Sequence, residues 1–170
     1  QKTAYEMLRS LVGSEMCIRD SPSSDLLPGD PLLTPPFCHP PEWAAHACTW
    51  LAWPPDSRDW GVKFDAALWT FVEILRKLTP FEKIRMLVPN ERAWHTARDR
   101  LFWAEVPLDG VEMIRCPLDR CWLRDIGPLF GFDSERRKVV LHFRFTAWGK
   151  YRRYRRDAQV PAFIARSRGL

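Results

Sequence analysis

Apolar residues set the first pattern along this chain. Phe64, Ala67, Leu68, Phe71, Val72, Leu75 and Leu78 recur at intervals of three and four, which draws one stripe of an amphipathic helix that Pro80 ends. Such a stripe is core. Upstream, residues 49–53 read as a buried strand closed by Pro54 and Pro55. Downstream, residues 83–88 form a strand with Ile84, Met86 and Val88 on one face. Asn90 suits the N-cap of a second helix reaching about Leu101, because its side-chain oxygen can accept an orphan N–H of the first turn. His95 falls on the outer surface of that helix. Residues 111–116 give a further strand, with Val111, Met113 and Arg115 opposite Glu112, Ile114 and Cys116. Residues 129–132 and 139–145 pair as a hairpin across Asp133, Ser134, Glu135 and Arg136, and 158–168 begins another helix. Strands alternating with helices make the class α/β.

The first residues do not join this pattern. Residues 1–25 hold no sustained amphipathic period and no apolar run long enough for a signal peptide or a membrane span. Glu6, Glu15, Asp20 and Asp25 also argue against an organelle transit peptide. The run 9–21 has two readings, translated adaptor sequence or a disordered leader, and both keep it out of the fold. Residues 26–41 are a Pro-rich arm that cannot bury enough apolar area to order itself. The domain is expected to occupy 42–170.

Composition adds bounds rather than a function. With 170 residues, 46% of them hydrophobic, the chain can bury one core. The net charge of +5 permits an anionic partner, yet 28% charged residues of both signs is ordinary for a soluble protein. The densest basic run is Arg152, Arg153, Arg155 and Arg156, interleaved with Tyr151 and Tyr154. Nucleic acid would use such residues for phosphate contacts and stacking, but a solvated edge beside Asp157 accounts for them as well. Nucleic-acid binding is therefore a remote alternative. Five cysteines (Cys17, Cys38, Cys48, Cys116 and Cys121) at irregular spacing point to a reducing compartment, hence the cytoplasm. His46 and Cys48 have no second pair of ligands nearby, and a zinc site needs about four, so no metal is expected.

Chemistry concentrates in residues 119–128, Asp-Arg-Cys-Trp-Leu-Arg-Asp-Ile-Gly-Pro. If 121–125 is extended, Cys121, Leu123 and Asp125 share one side and Trp122 and Arg124 the other. In a tighter loop Trp122 and Asp125 reach the same site. Gly127 and Pro128 stop any helix, since Gly127 is free to take a positive φ and the residue before a proline is pushed toward extended geometry. The motif is placed on a strand end or loop. An ionised Asp125 can accept two parallel hydrogen bonds from a guanidinium, and the Trp122 indole can stack on the ligand. Alternatively, Arg124 pairs with Asp119 or Asp125 and Trp122 is core.

The run 122–128 resembles the W-x-R-D-x-G-P signature of the agmatine deiminase and bacterial-type peptidylarginine deiminase family of guanidino-group-modifying enzymes. Two collinear segments strengthen the resemblance. Pro41, Glu42, Trp43, His46 and 49–54 resemble the family's opening P-x-E-W-x-x-H-x-x-T-W-x-x-W-P, and 145–151 resembles F-N-x-W-G-x-K-Y. Arg120 departs from a usual acidic residue and Thr146 from a usual Asn.

The resemblance implies a pentein-type propeller of pseudosymmetric ββαβ units, about half of which would be present, with the chain truncated at its C-terminus. It implies hydrolysis of agmatine to N-carbamoylputrescine and ammonia, a step toward putrescine, through a covalent Cys intermediate and with no cofactor. Asp125 carries over as the guanidinium-binding carboxylate and Trp122 as a pocket wall. Arg124 and Gly127 order the loop. Trp50 and Trp53 lie on a strand that helps wall the site. The nucleophilic Cys and the catalytic His are expected beyond Leu170, which leaves none in this chain, and Cys121 is read as packing. Peptidyl-arginine deimination and a non-catalytic guanidinium-binding module are the alternatives. A homo-oligomer is compatible with all three.

Overall fold

The computed structural model describes residues 37–41 and 43–170. The leader 1–25, most of the arm, Cys17 and Glu42 lie outside the described residues. Within the arm, Phe37–Cys38 (β1) pairs antiparallel with a later strand, so regular structure begins ahead of Glu42.

A three-stranded parallel sheet carries the core. Its strands are β2 (Thr49–Ala52), β3 (Ile84–Val88) and β4 (Val111–Arg115), in that spatial order. Helix α1 (Phe64–Leu78) connects β2 to β3, and α2 (Glu91–Trp103) connects β3 to β4. Each crossover needs a helix because parallel neighbours cannot be joined by a tight turn.

Both faces of this sheet are covered, which explains why β3 is apolar nearly throughout. On one face, Ile84, Met86 and Val88 pack with Leu68, Val72 and Leu75 of α1 and with Ala93, Ala97 and Leu101 of α2. On the other face, Leu87 and Ala52 pack with Cys116, Leu118, Cys121 and Ile126, and with Val160 and Ile164 of the last helix. The expected faces of 83–88 and 111–116 are both observed. Asn90 caps α2 as anticipated, its side-chain oxygen accepting the Ala93 N–H at 2.9 Å. The helix runs two residues past Leu101, and Ala104 closes it by donating to the Arg100 carbonyl.

After β4 the chain makes a single helical turn, α3 (Leu123–Ile126), and then a hairpin of β5 (Leu129–Asp133) and β6 (Lys138–Leu141). The order of the second sheet is β1-β5-β6. The second hairpin strand is shorter than the expected 139–145. Leu141 pairs with Leu129, the first residue of β5, and the preceding Pro128 has no N–H to extend the ladder. The hairpin turn is stapled by the Asp133 carboxylate, which accepts the N–H groups of Glu135 and Arg137 at 2.9 and 2.8 Å. A 3-10 turn, Asp157–Gln159, leads into α4 (Val160–Ser167), which accounts for the expected final helix.

Leu68 and Leu75 are 3% and 0% exposed, whereas Lys77 on the same helix is exposed. Leu68→Ala or Leu75→Ala should cost about 2–5 kcal/mol through the cavity it leaves, and Lys77→Ala almost nothing. Denaturant melts of the three variants check this. Equal small losses would show that α1 is not a buried helix.

Candidate functional site

The backbone of 121–127 is not extended. Trp122 lies at φ −80° and ψ 66°, and the Leu123 N–H donates to the Cys121 carbonyl at 2.8 Å, which is an inverse γ-turn. The Trp122 carbonyl then accepts the N–H groups of Asp125 and Ile126 at 3.0 and 3.1 Å. These bonds correct the extended alternative, because a chain folded back on itself satisfies its polar groups locally and loses the two-sided alternation. The tight-loop arrangement is the one observed. Gly127 ends the turn at φ −75° and ψ 162°, the extended geometry imposed by Pro128. Its φ is not positive, so glycine is needed there for space: a Cβ would come within 2.5 Å of the Leu123 carbonyl oxygen.

A cavity of about 580 Å³ lies between this turn and β2. Thr49, Trp50 and Ala52 form one wall, Phe71 and Ile74 of α1 another, and Cys121 to Asp125 with Gly127 to Phe130 the rest. Trp122, Arg124, Asp125 and Gly127 therefore share one cavity. Trp50 also lines it, while Trp53 is buried at 1% exposure and belongs to the core. The Asp125 side chain is exposed and its carboxylate takes no partner among the described residues. Asp119, the other carboxylate of the motif, is engaged by the Arg156 N–H at 3.1 Å.

An aromatic cluster backs the motif. Trp122 meets Trp148 and Tyr151 with ring centroids 5.4 Å away in both cases, and Trp148 meets Phe145 at the same distance. The backbone of this cluster is strained at Ala147 and Trp148, with φ of 51° and 54°, before Gly149 takes its φ of 67° without strain. Left-handed geometry costs a non-glycine residue roughly 1–2 kcal/mol, and such strain gathers at functional sites.

The cysteines of this region are not activated. Burial pushes the thiols of Cys116 and Cys121 up to about 11, so both are protonated at neutral pH. Cys38 is exposed and Cys48 half-buried.

The profile of the Porphyromonas-type peptidyl-arginine deiminase family matches residues 38–170. The chain belongs to that family. Among similar proteins, the agmatine deiminase of Ectopseudomonas mendocina is 29% identical over 133 residues, covering 75% of this chain and 34% of that protein. That of Pseudomonas fluorescens is 28% identical over 133 residues, covering 75% and 34%. In structure, the agmatine deiminase of Enterococcus faecalis superposes with a TM-score of 0.69 at 19% identity, over 79% of this chain and 36% of that one. The fold is accordingly a partial α/β pentein. The matched part spans about a third of these family members rather than the expected half.

Several residues that back the cavity wall have no role that the sequence assigns on its own. Trp148 and Tyr151 sit in the segment 145–151, whose motif was visible but whose contact with Trp122 depends on a left-handed turn that no local pattern announces. Asp157 is fully buried, and its Oδ1 accepts the Asp119 and Arg120 N–H groups at 2.7 and 3.2 Å. Burial raises its carboxyl above the usual carboxylate range. The four arginines at 152–156 are exposed, and no helix among the described residues is long and apolar enough to cross a membrane.

His46 and Cys48 do not converge. Cys48 Sγ accepts from Arg85, whereas His46 Nε2 meets Glu82 Oε2 at 2.7 Å, and Thr49 Oγ1 donates to the same oxygen at 2.7 Å. Among the described residues no three His, Cys, Asp or Glu groups cluster as metal ligands. His95 is exposed and pairs with Glu91 at 3.1 Å.

The Glu82 hydrogen bond raises the His46 imidazole above its ordinary 6.5, and the Thr49 and His46 bonds hold Glu82 below its ordinary 4.5. Stabilisation through His46 is complete below 6.5 and is lost as pH rises through the raised value; that through Glu82 is complete above 4.5 and is lost as pH falls through the depressed one. His46 is exposed and Glu82 only half-buried, so the pair contributes at most about 1 kcal/mol. The Tm difference between wild type and His46→Ala should therefore be larger near pH 6 than near pH 8.5. A difference that grows with rising pH would contradict this pairing.

Proposed function

We propose that this chain forms the guanidinium-holding wall of a hydrolase that deiminates agmatine. The observation that carries the reading is the Asp125 carboxylate, exposed on the cavity beside the Trp122 indole and without a partner among the described residues. Such a carboxylate can accept two parallel N–H bonds from a planar guanidinium, while the indole covers the aliphatic chain. Agmatine is favoured because it is the substrate named for these relatives and for several of the structural neighbours, one of which is a C. jejuni agmatine deiminase with substrate bound.

In the whole protein, a thiolate adds to the guanidinium carbon, the C–N bond breaks, and the nitrogen leaves as ammonia. Water then cleaves the amidino-thioether, giving N-carbamoylputrescine and free thiol. None of the four described cysteines is offered as that nucleophile: two are buried thiols, and Cys38 and Cys48 do not line the cavity. The nucleophile and its His partner are assigned to sequence beyond Leu170. Asp125 and Trp122 bind and orient, Arg124 and Gly127 shape the loop, and no cofactor enters. A cytoplasmic location fits this role. The family description itself favours a second reading, peptidyl-arginine deimination at the same site; comparing kcat/KM for agmatine and for an arginine peptide separates the two.

Asp125→Asn in the whole protein should leave Tm unchanged, since the carboxylate holds nothing in the fold. It should lower kcat/KM for agmatine roughly 100-fold, because charge-assisted hydrogen bonds contribute about 1.5–3 kcal/mol each. Steady-state ammonia release and a thermal melt check both halves. Unchanged kcat/KM with a lowered Tm would make Asp125 a structural residue.

A further inference from the structure

Trp122 is gripped from behind by a cation of the chain itself. The Arg120 guanidinium carbon lies 4.8 Å from the centroid of the Trp122 ring and 3.9 Å from that of Tyr151, in the corner that these two edge-to-face rings make. The same guanidinium is ion-paired with Asp59, from the 3-10 turn Ser57–Asp59, and the two side chains are only 11% and 17% exposed. The Arg120 Nε is buried without a hydrogen bond, so the ion pair and the two rings are what hold the group. Its backbone is fixed separately, through the N–H donated to buried Asp157.

We infer that Arg120 is a positioning residue for Trp122, locking the indole as a fixed wall of the substrate cavity. The inference rests on the reading of Trp122 and Asp125 as the guanidinium-holding wall. Neither Arg120 nor Asp59 lines the cavity, so Arg120 reaches the substrate only through Trp122. A cation so close to a site for a cationic substrate would ordinarily repel it. Here Asp59 neutralises the charge in a poorly solvated place, where the pair is screened little by salt. What remains is the shape of the guanidinium behind the wall: a flat, delocalised cation can lie against an indole and a phenol at once, whereas an ammonium is a point charge with no face to pack. A wall whose rotamer is already set spares the substrate the entropy of ordering it.

The test uses the whole protein with agmatine as substrate. Arg120→Ala should raise KM about tenfold and leave kcat within about twofold, the mark of an interaction made equally in ground and transition states. Arg120→Lys, which preserves charge and folding more closely, should recover only part of this loss. Asp59→Asn should move KM in the same direction as Arg120→Ala. With fluorotryptophan incorporated, the 19F resonance assigned to Trp122 by its loss in Trp122→Ala should shift or broaden in Arg120→Lys with nothing bound. The inference fails if Trp122→Ala and Asp125→Asn weaken agmatine while both Arg120 variants keep wild-type KM and the wild-type resonance. It also fails if Arg120→Lys restores KM completely, since charge alone would then suffice. A wild-type KM in Trp122→Ala would instead bring down the reading of the site, and this inference with it.

Discussion

The two N–H groups donated to the Trp122 carbonyl, from Asp125 and Ile126, decide whether this chain has a site at all. They close residues 122–126 into one turn and set an aromatic ring and a carboxylate on the same cavity. Each neighbouring feature protects that turn. Pro128 holds Gly127 extended, and Gly127 has no side chain to strike the Leu123 carbonyl. Ile126 anchors the turn in the buried cluster with Leu87 and Ile164, while Asp157 fixes the approach through Asp119 and Arg120. A four-residue helix could not stand on its own hydrogen bonds, because nucleating a turn is unfavourable without tertiary packing.

Four of the nine tryptophans, Trp50, Trp69, Trp94 and Trp122, have a guanidinium over the ring. Arg85 and Arg168 both lie over Trp50 and both pair with Glu112. Arg100 lies over Trp69 and pairs with Asp65; Arg115 lies over Trp94 and pairs with Glu91. Each of these guanidiniums has a ring on its face and a carboxylate at its edge, the two surfaces that satisfy a flat, weakly hydrated cation. Trp122 and Asp125 offer the same pair of groups, with the carboxylate left open toward the cavity.

How much of this was legible in the sequence depended on the range of the interaction. The α1 stripe, the Asn90 cap and the faces of β3 and β4 follow from periods of three to four and of two, so local pattern carries them. The turn at 122–126 was ambiguous because its few residues suit both an extended strand end and a tight loop, and the choice rests on packing against Leu87 and Ile164. Motif matching brought out Trp122 and Asp125. It assigns nothing to Asp59 or Asp157, since Arg120 meets Asp59 across 61 positions and Asp157 across 37, and no local period records such pairs. β1 was missed because two residues in a Pro-rich arm become a strand only when β5 is present to pair with them.

The central claim is that Asp125 and Trp122 receive a guanidinium. A crystal structure of the whole protein with agmatine bound tests it most directly. Two guanidinium nitrogens should lie about 2.7–2.9 Å from the two Asp125 carboxylate oxygens, in the parallel geometry of a charge-assisted pair, with the aliphatic chain against the Trp122 ring. Agmatine bound elsewhere, with Asp125 turned to solvent or paired to an arginine of the protein, would contradict the account.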